Sequence, residues 1–106
     1  MKLFVADAFT ATRFAGNQAG VVLIGNGEDL PETTWMQKLA AELKHSETAF
    51  IKRISEKEFQ ICYFTPDGEV ELCGHATIAA FTVLREEGII TPGIYQILTL
   101  AGKLEI

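Results

Sequence analysis

The sequence predicts an α+β fold in which a curved, antiparallel, barrel-like sheet wraps around a central helix. Short strand-like runs of alternating or wholly apolar residues recur along the chain. One helical segment is amphipathic, and a second has almost no polar face. The second helix decides between architectures, because an open ferredoxin-like sandwich, the alternative, expects both helices to be amphipathic.

The elements follow in order. Leu3–Phe9 is an apolar run carrying Asp7 near its end, and Arg13–Gln18 is a loop. Ala19–Ile24 is a short β-branched strand, turned by Gly25-Asn26-Gly27. Pro31 suits the first turn of a helix, where a missing N–H costs nothing. Trp35, Met36, Leu39, Ala40 and Leu43 then recur at helical spacing, with Gln37, Lys38, Glu42 and Lys44 opposite. Thr48–Ile54 and Glu58–Phe64 form a hairpin in which Phe59, Ile61 and Tyr63 alternate with Gln60 and Cys62. Thr65-Pro66-Asp67-Gly68 is a turn leading to a short strand, Glu69–Leu72. The second helix runs from Ala76 to Glu87 and stops at Gly88, a residue suited to the left-handed position after a helix. Ala76, Ile78, Ala79, Ala80, Phe81, Val83 and Leu84 predict burial on most of its sides. Tyr95–Leu100 and Lys103–Ile106 close the chain as a hairpin around Ala101-Gly102.

Composition narrows the function. A chain of 106 residues with 48% hydrophobic and 22% charged residues is one globular domain, 1–106, able to bury a core without disulfides. Fourteen acidic against nine basic residues leave a net charge of −5. Nucleic acid and anionic membrane surfaces are poor partners for such a chain, so small molecules and other proteins remain. The Met1–Phe9 stretch lacks the layout of a signal peptide, and no apolar run approaches a membrane span. Cys62 and Cys73 are expected as reduced thiols, and the expected location is cytoplasmic.

The chemistry concentrates in Glu69-Val70-Glu71-Leu72-Cys73-Gly74-His75-Ala76-Thr77. A strand ends, Gly74 removes a side chain, and a helix begins. Its first N–H groups lack carbonyl partners and the aligned peptide dipoles make the site electropositive. The Gly74-His75-Ala76 amides thus offer a cradle for a carboxylate, with Cys73 and His75 beside it. The plainer reading is a helix start whose His75 caps a turn. Cys73 at a helix N-terminus suggests a lowered thiol pKa and a nucleophilic Cys73–His75 pair, against the alternative of an inert buried cysteine. Cys73, His75, Cys62 and His45 show no zinc-ligand repeat, and no metal is expected. Glu47, within His45-Ser46-Glu47-Thr48-Ala49-Phe50, lies where a helix ends and an apolar strand begins. Poor solvation there favours proton transfer, and a solvated loop acid is the alternative.

Asp7-Ala8-Phe9-Thr10, then Phe14-x-Gly16-Asn17 followed by Val21-Val22-Leu23, resembles the opening of the PhzF-like isomerase family. Ser46-Glu47-Thr48-Ala49-Phe50 is similar to that family's catalytic segment, and Phe64-Thr65-Pro66 with Glu69–Thr77 resembles its helix-start motif. Order and spacing agree over essentially the whole chain. The resemblance implies the diaminopimelate-epimerase-like fold of two lobes, each a barrel around a central helix, with a cleft between them. This sequence resembles the first lobe. The resemblance further implies chemistry free of cofactor and metal. It makes Glu47 the general acid/base and lines the site with His75, Asn17 and Gly74. Cys73 falls where related racemases carry a catalytic cysteine, although the Cys-Gly-His-Ala-Thr form does not carry that role with it. Gln18 departs from the pattern, where proline is common. The absence of a second lobe is the larger departure, because that lobe encloses the substrate. A homodimer, or a separately encoded second lobe, would restore the cleft. A non-catalytic or split half-protein is the other reading.

Overall fold

The computed structural model describes residues 1–7, 18–25, 27–43 and 47–105. Among these described residues, seven strands and two helices follow in the order β1 (Lys2–Asp7), β2 (Gln18–Leu23), α1 (Thr33–Leu43), β3 (Glu47–Ser55), β4 (Glu58–Thr65), β5 (Gly68–Val70), α2 (Gly74–Glu86), β6 (Gln96–Thr99) and β7 (Gly102–Glu105). All seven strands join one sheet, ordered β1-β2-β3-β4-β6-β7, with β5 also on β4. β4 therefore uses one edge twice, pairing β6 over Glu58–Gln60 and β5 over Tyr63–Thr65.

The expected α+β class holds, with two corrections. The sheet is mixed rather than antiparallel, because β2–β3 and β4–β6 pair in parallel. It is also an open sheet, bounded by β1 and β7, and does not close into a barrel.

Strand alternation builds two cores. Val21, Leu23, Ala49, Ile51, Phe59, Ile61 and Tyr63 point to one face, where Ala76, Ala79, Ala80, Val83 and Leu84 of α2 meet them. Val22, Phe50 and Phe64 point to the other face, against Met36 and Ala40 of α1. The three alanines of α2 are fully buried and let the helix backbone lie close to the sheet. Phe59 meets Phe81 edge-on, with ring centroids 5.8 Å apart.

The opposite side of α2 is uncovered. Ile78 is 48% exposed and Leu72 45% exposed, so the helix is buried on one side, not on most. The reason is the open sheet, which leaves that side without a partner among the described residues.

Helix ends follow local chemistry. Pro31 precedes α1 instead of entering its first turn, since the Glu32 carbonyl accepts the first helical bond, from Met36 N–H. α2 begins at Gly74, two residues before the expected start, with the Cys73 carbonyl accepting from Thr77 N–H. It ends in a Schellman motif: Gly88 N–H donates to the Arg85 carbonyl and Ile89 N–H to that of Leu84. Gly88 holds the expected left-handed conformation, φ +73°. Among the described residues no helix is long and apolar enough to cross a membrane.

Candidate functional site

Glu47 opens β3, and its register partner is Ala19 of the parallel neighbour β2. Cys73 is the N-cap residue of α2, in extended conformation, and His75 lies in the helix's first turn. Strand register and helix start thus bring together residues 26 and 28 positions apart in sequence. One ligating atom from each of Glu47, Cys73 and His75 lies within 4.8 Å of the other two, and all three residues are half-buried.

A hydrogen-bonded column fixes the cap. Thr77 Oγ1 donates to the Cys73 carbonyl at 2.8 Å, and Tyr63 Oη lies 2.6 Å from the same Thr77 Oγ1. The residue carrying the thiol is therefore anchored by its own backbone to β4 and to the second turn of α2. Gly74 is exposed, and a Cβ built there would meet none of the described residues within 4 Å. Among the described residues the approach to the first amides of α2 is open. Ala76 is fully buried, so of the cradle residues it contributes its N–H and no accessible side chain.

The thiol is not activated in the way its position at a helix N-terminus suggested. Burial pushes the Cys73 pKa up, and the nearby Glu47 carboxylate, in hydrogen-bond contact with the thiol, pushes in the same direction. The N–H groups of Ala76 and His75 oppose the shift without reversing it, and the sulfur closes no cap hydrogen bond. Desolvation and a neighbouring carboxylate outweigh the helix dipole. Cys73 is a protonated thiol at neutral pH, as the inert-cysteine alternative expects, although it is half-buried and packs at the margin of the core.

Cys62 is likewise free and half-buried, on the other face of β4 from Tyr63. Asn17 and the rest of the Arg13–Asn17 loop lie outside the described residues, as do His45 and Ser46. A cavity of about 740 Å³ lies away from the acid. It runs along the uncovered side of α2, lined by Leu72, Ile78, Phe81, Arg85, Tyr95 and Leu104. Sequence reasoning missed this groove, because a run of apolar residues in one helix reads as burial whether or not a partner surface exists.

Residues 6–106 match the family model described as phenazine biosynthesis-like protein, PhzC-PhzF. The chain is 49% identical over 82 residues to the uncharacterized isomerase YddE of Salmonella typhimurium, covering 77% of this chain and 27% of that protein. It is 43% identical over 101 residues to the uncharacterized isomerase YfhB of Bacillus subtilis, covering 94% and 33%. Among solved structures, the PhzF-family phenazine biosynthesis protein of Enterococcus faecalis superposes with a TM-score of 0.84 at 32% identity, covering 97% of this chain and 38% of that one. The corresponding Bacillus anthracis protein gives 0.83 at 38% identity, covering 100% and 36%. The chain thus spans roughly a third of the length of these relatives.

Proposed function

The chain belongs to the PhzC-PhzF family of phenazine biosynthesis-like proteins, and from that premise we propose that it is one lobe of a cofactor-independent isomerase or epimerase. Its substrate is a small molecule bearing a carboxylate, and a second lobe or a second copy of the chain completes the cleft. The observation that carries this reading is the gathering of Glu47 and His75 at the first turn of α2. A carboxylate able to move a proton lies beside an imidazole and a row of helix-start amides that favour an anion.

Glu47 takes a proton from a substrate carbon and returns it to another carbon, or to the other face of the same one. The amides of Gly74, His75 and Ala76 hold the substrate carboxylate, and His75 orients or polarises the reacting group. Cys73 lines the same cleft, and Asn17 is proposed as a further substrate-binding residue. A two-fold homodimer presents one Glu47 and one helix start from each side, and enclosure protects the carbanion from solvent. The uncovered apolar side of α2 supports a need for a partner surface.

Deuterium wash-in from D₂O into candidate amino and hydroxy acids tests the chemistry. Wash-in is expected from the native chain and is lost in Glu47→Gln; undiminished exchange in that variant removes Glu47 from its role. Sedimentation equilibrium tests the assembly, and a monomer at micromolar concentration sinks the homodimer. The same uncovered face supports a second reading, a non-catalytic or split half that binds a separately encoded second lobe. A monomer without wash-in, regaining it on addition of a protein supplying the other lobe, establishes the split form. A complex without exchange establishes the non-catalytic one.

A further inference from the structure

We propose that Glu47, Cys73 and His75 also form a binding site for a soft divalent cation of the zinc class, and that its occupation switches the proton transfer off. The binding stands on donor geometry alone; the inhibition rests on the role given to Glu47 above.

Three protein donors of mixed type, a carboxylate oxygen, a thiol sulfur and an imidazole nitrogen, lie within 4.8 Å of one another. This is the donor set that zinc and its analogues prefer over magnesium or calcium, which take oxygen ligands. Bond lengths of roughly 2.0 to 2.3 Å put tetrahedral donors roughly 3.3 to 3.8 Å apart, so the set must contract by about an ångström. Rotation about the side-chain bonds of Glu47 and His75 supplies that movement in exchange for their present contacts, while the Thr77 hydroxyl and Thr77 N–H hold the Cys73 carbonyl. The half-buried setting leaves the fourth position to water or a substrate oxygen.

Charge and protons balance. The thiol in contact with Glu47 releases its proton to solvent when the sulfur bonds the metal, and the imidazole binds in its neutral form. One carboxylate and one thiolate then neutralise the dication. The same bond occupies the oxygen that would otherwise accept a substrate proton. A bound cation and a working Glu47 are therefore mutually exclusive.

Equilibrium dialysis of the full chain against zinc, with metal content measured directly, is the first test, and cobalt(II) substitution is the second. One metal per chain is expected, with the absorption of a tetrahedral cobalt site and a thiolate-to-cobalt charge-transfer band. Cys73→Ser and His75→Ala each weaken binding at least about tenfold, the low end of what even outer-sphere losses cause. Cys62→Ser leaves both stoichiometry and spectrum unchanged. No stoichiometric binding, a cobalt spectrum without the thiolate band, or the band lost in Cys62→Ser overturns the site, and the cobalt spectrum of the native chain decides even if a variant fails to fold. None of these readouts needs turnover, so a failed wash-in assay leaves them intact. Where wash-in is present, zinc abolishes it and a chelator restores it; exchange persisting in the zinc-loaded chain overturns the switch while leaving the site.

Discussion

Tyr63 donates its hydroxyl proton to Thr77. Their oxygens are 2.6 Å apart, and the direction follows from the third member of the column. Thr77 has one hydroxyl proton and lies 2.8 Å from the Cys73 carbonyl, which can only accept. That proton is committed, so Tyr63 must be the donor. Tyr63→Phe removes one hydrogen bond and is expected to cost about 1 kcal/mol in urea unfolding. Thr77→Val strands the hydroxyl of a residue only 1% exposed and is expected to cost about 2 kcal/mol. Equal or reversed costs show that the Tyr63 hydroxyl does not depend on Thr77 for its partner.

The two sides of α2 differ in what they tolerate. Ala80 is fully buried against the sheet, so Ala80→Leu overpacks that contact and is expected to lower stability by roughly 1–3 kcal/mol. Ile78 is 48% exposed, and Ile78→Gln is expected to change monomer stability by no more than about 0.5 kcal/mol. Denaturant unfolding of the two variants measures the contrast. A large loss in Ile78→Gln, growing with protein concentration, shows instead that the face is already covered by a second copy.

What the sequence made legible was local. The alternation of Phe59, Ile61 and Tyr63 and the stop at Gly88 need only neighbouring residues to be read. The parallel pairings of β2 with β3 and β4 with β6 join segments far apart, and no periodicity records which edges meet. Ala76 to Leu84 is apolar enough for a helix enclosed by a barrel, yet the described strands cover one side. Glu47 and the Cys73–His75 pair stood out as two motifs, and the register of β3 makes them one cluster. The lowered pKa that the helix start suggests for Cys73 is lost for the same reason. A helix start is visible in a few residues, whereas burial and a carboxylate from a distant strand are tertiary facts.

Cys62 supplies a pH dependence. Burial raises its pKa above the ordinary thiol value of 9.0, and the Glu69 carboxylate adds to the shift. The folded chain therefore holds this proton more tightly than the unfolded chain. The resulting stability is complete below the unfolded thiol pKa and is lost as pH rises through the folded one. Cys62→Ala deletes that dependence, so its thermal midpoint is expected to fall less steeply than the native chain's in the alkaline range. Parallel pH profiles of the two proteins show the group contributes nothing.

Glu47 should control the reactivity of Cys73 whether or not the chain catalyses anything. The carboxylate contributes negative charge and a hydrogen-bond acceptor to the thiol, and both favour the protonated sulfur. Glu47→Gln removes the charge and leaves burial in place. The thiolate fraction at a fixed, mildly alkaline pH therefore rises, and with it the rate of alkylation, since the thiolate is the nucleophile. Iodoacetamide labelling in a Cys62→Ser background, with chelator present, isolates Cys73. The expected result is a severalfold faster reaction in Glu47→Gln that still falls short of an unstructured cysteine, because desolvation is the larger cause. An unchanged rate separates the two side chains electrostatically and removes the contact on which the paired reading of Glu47 and Cys73 depends.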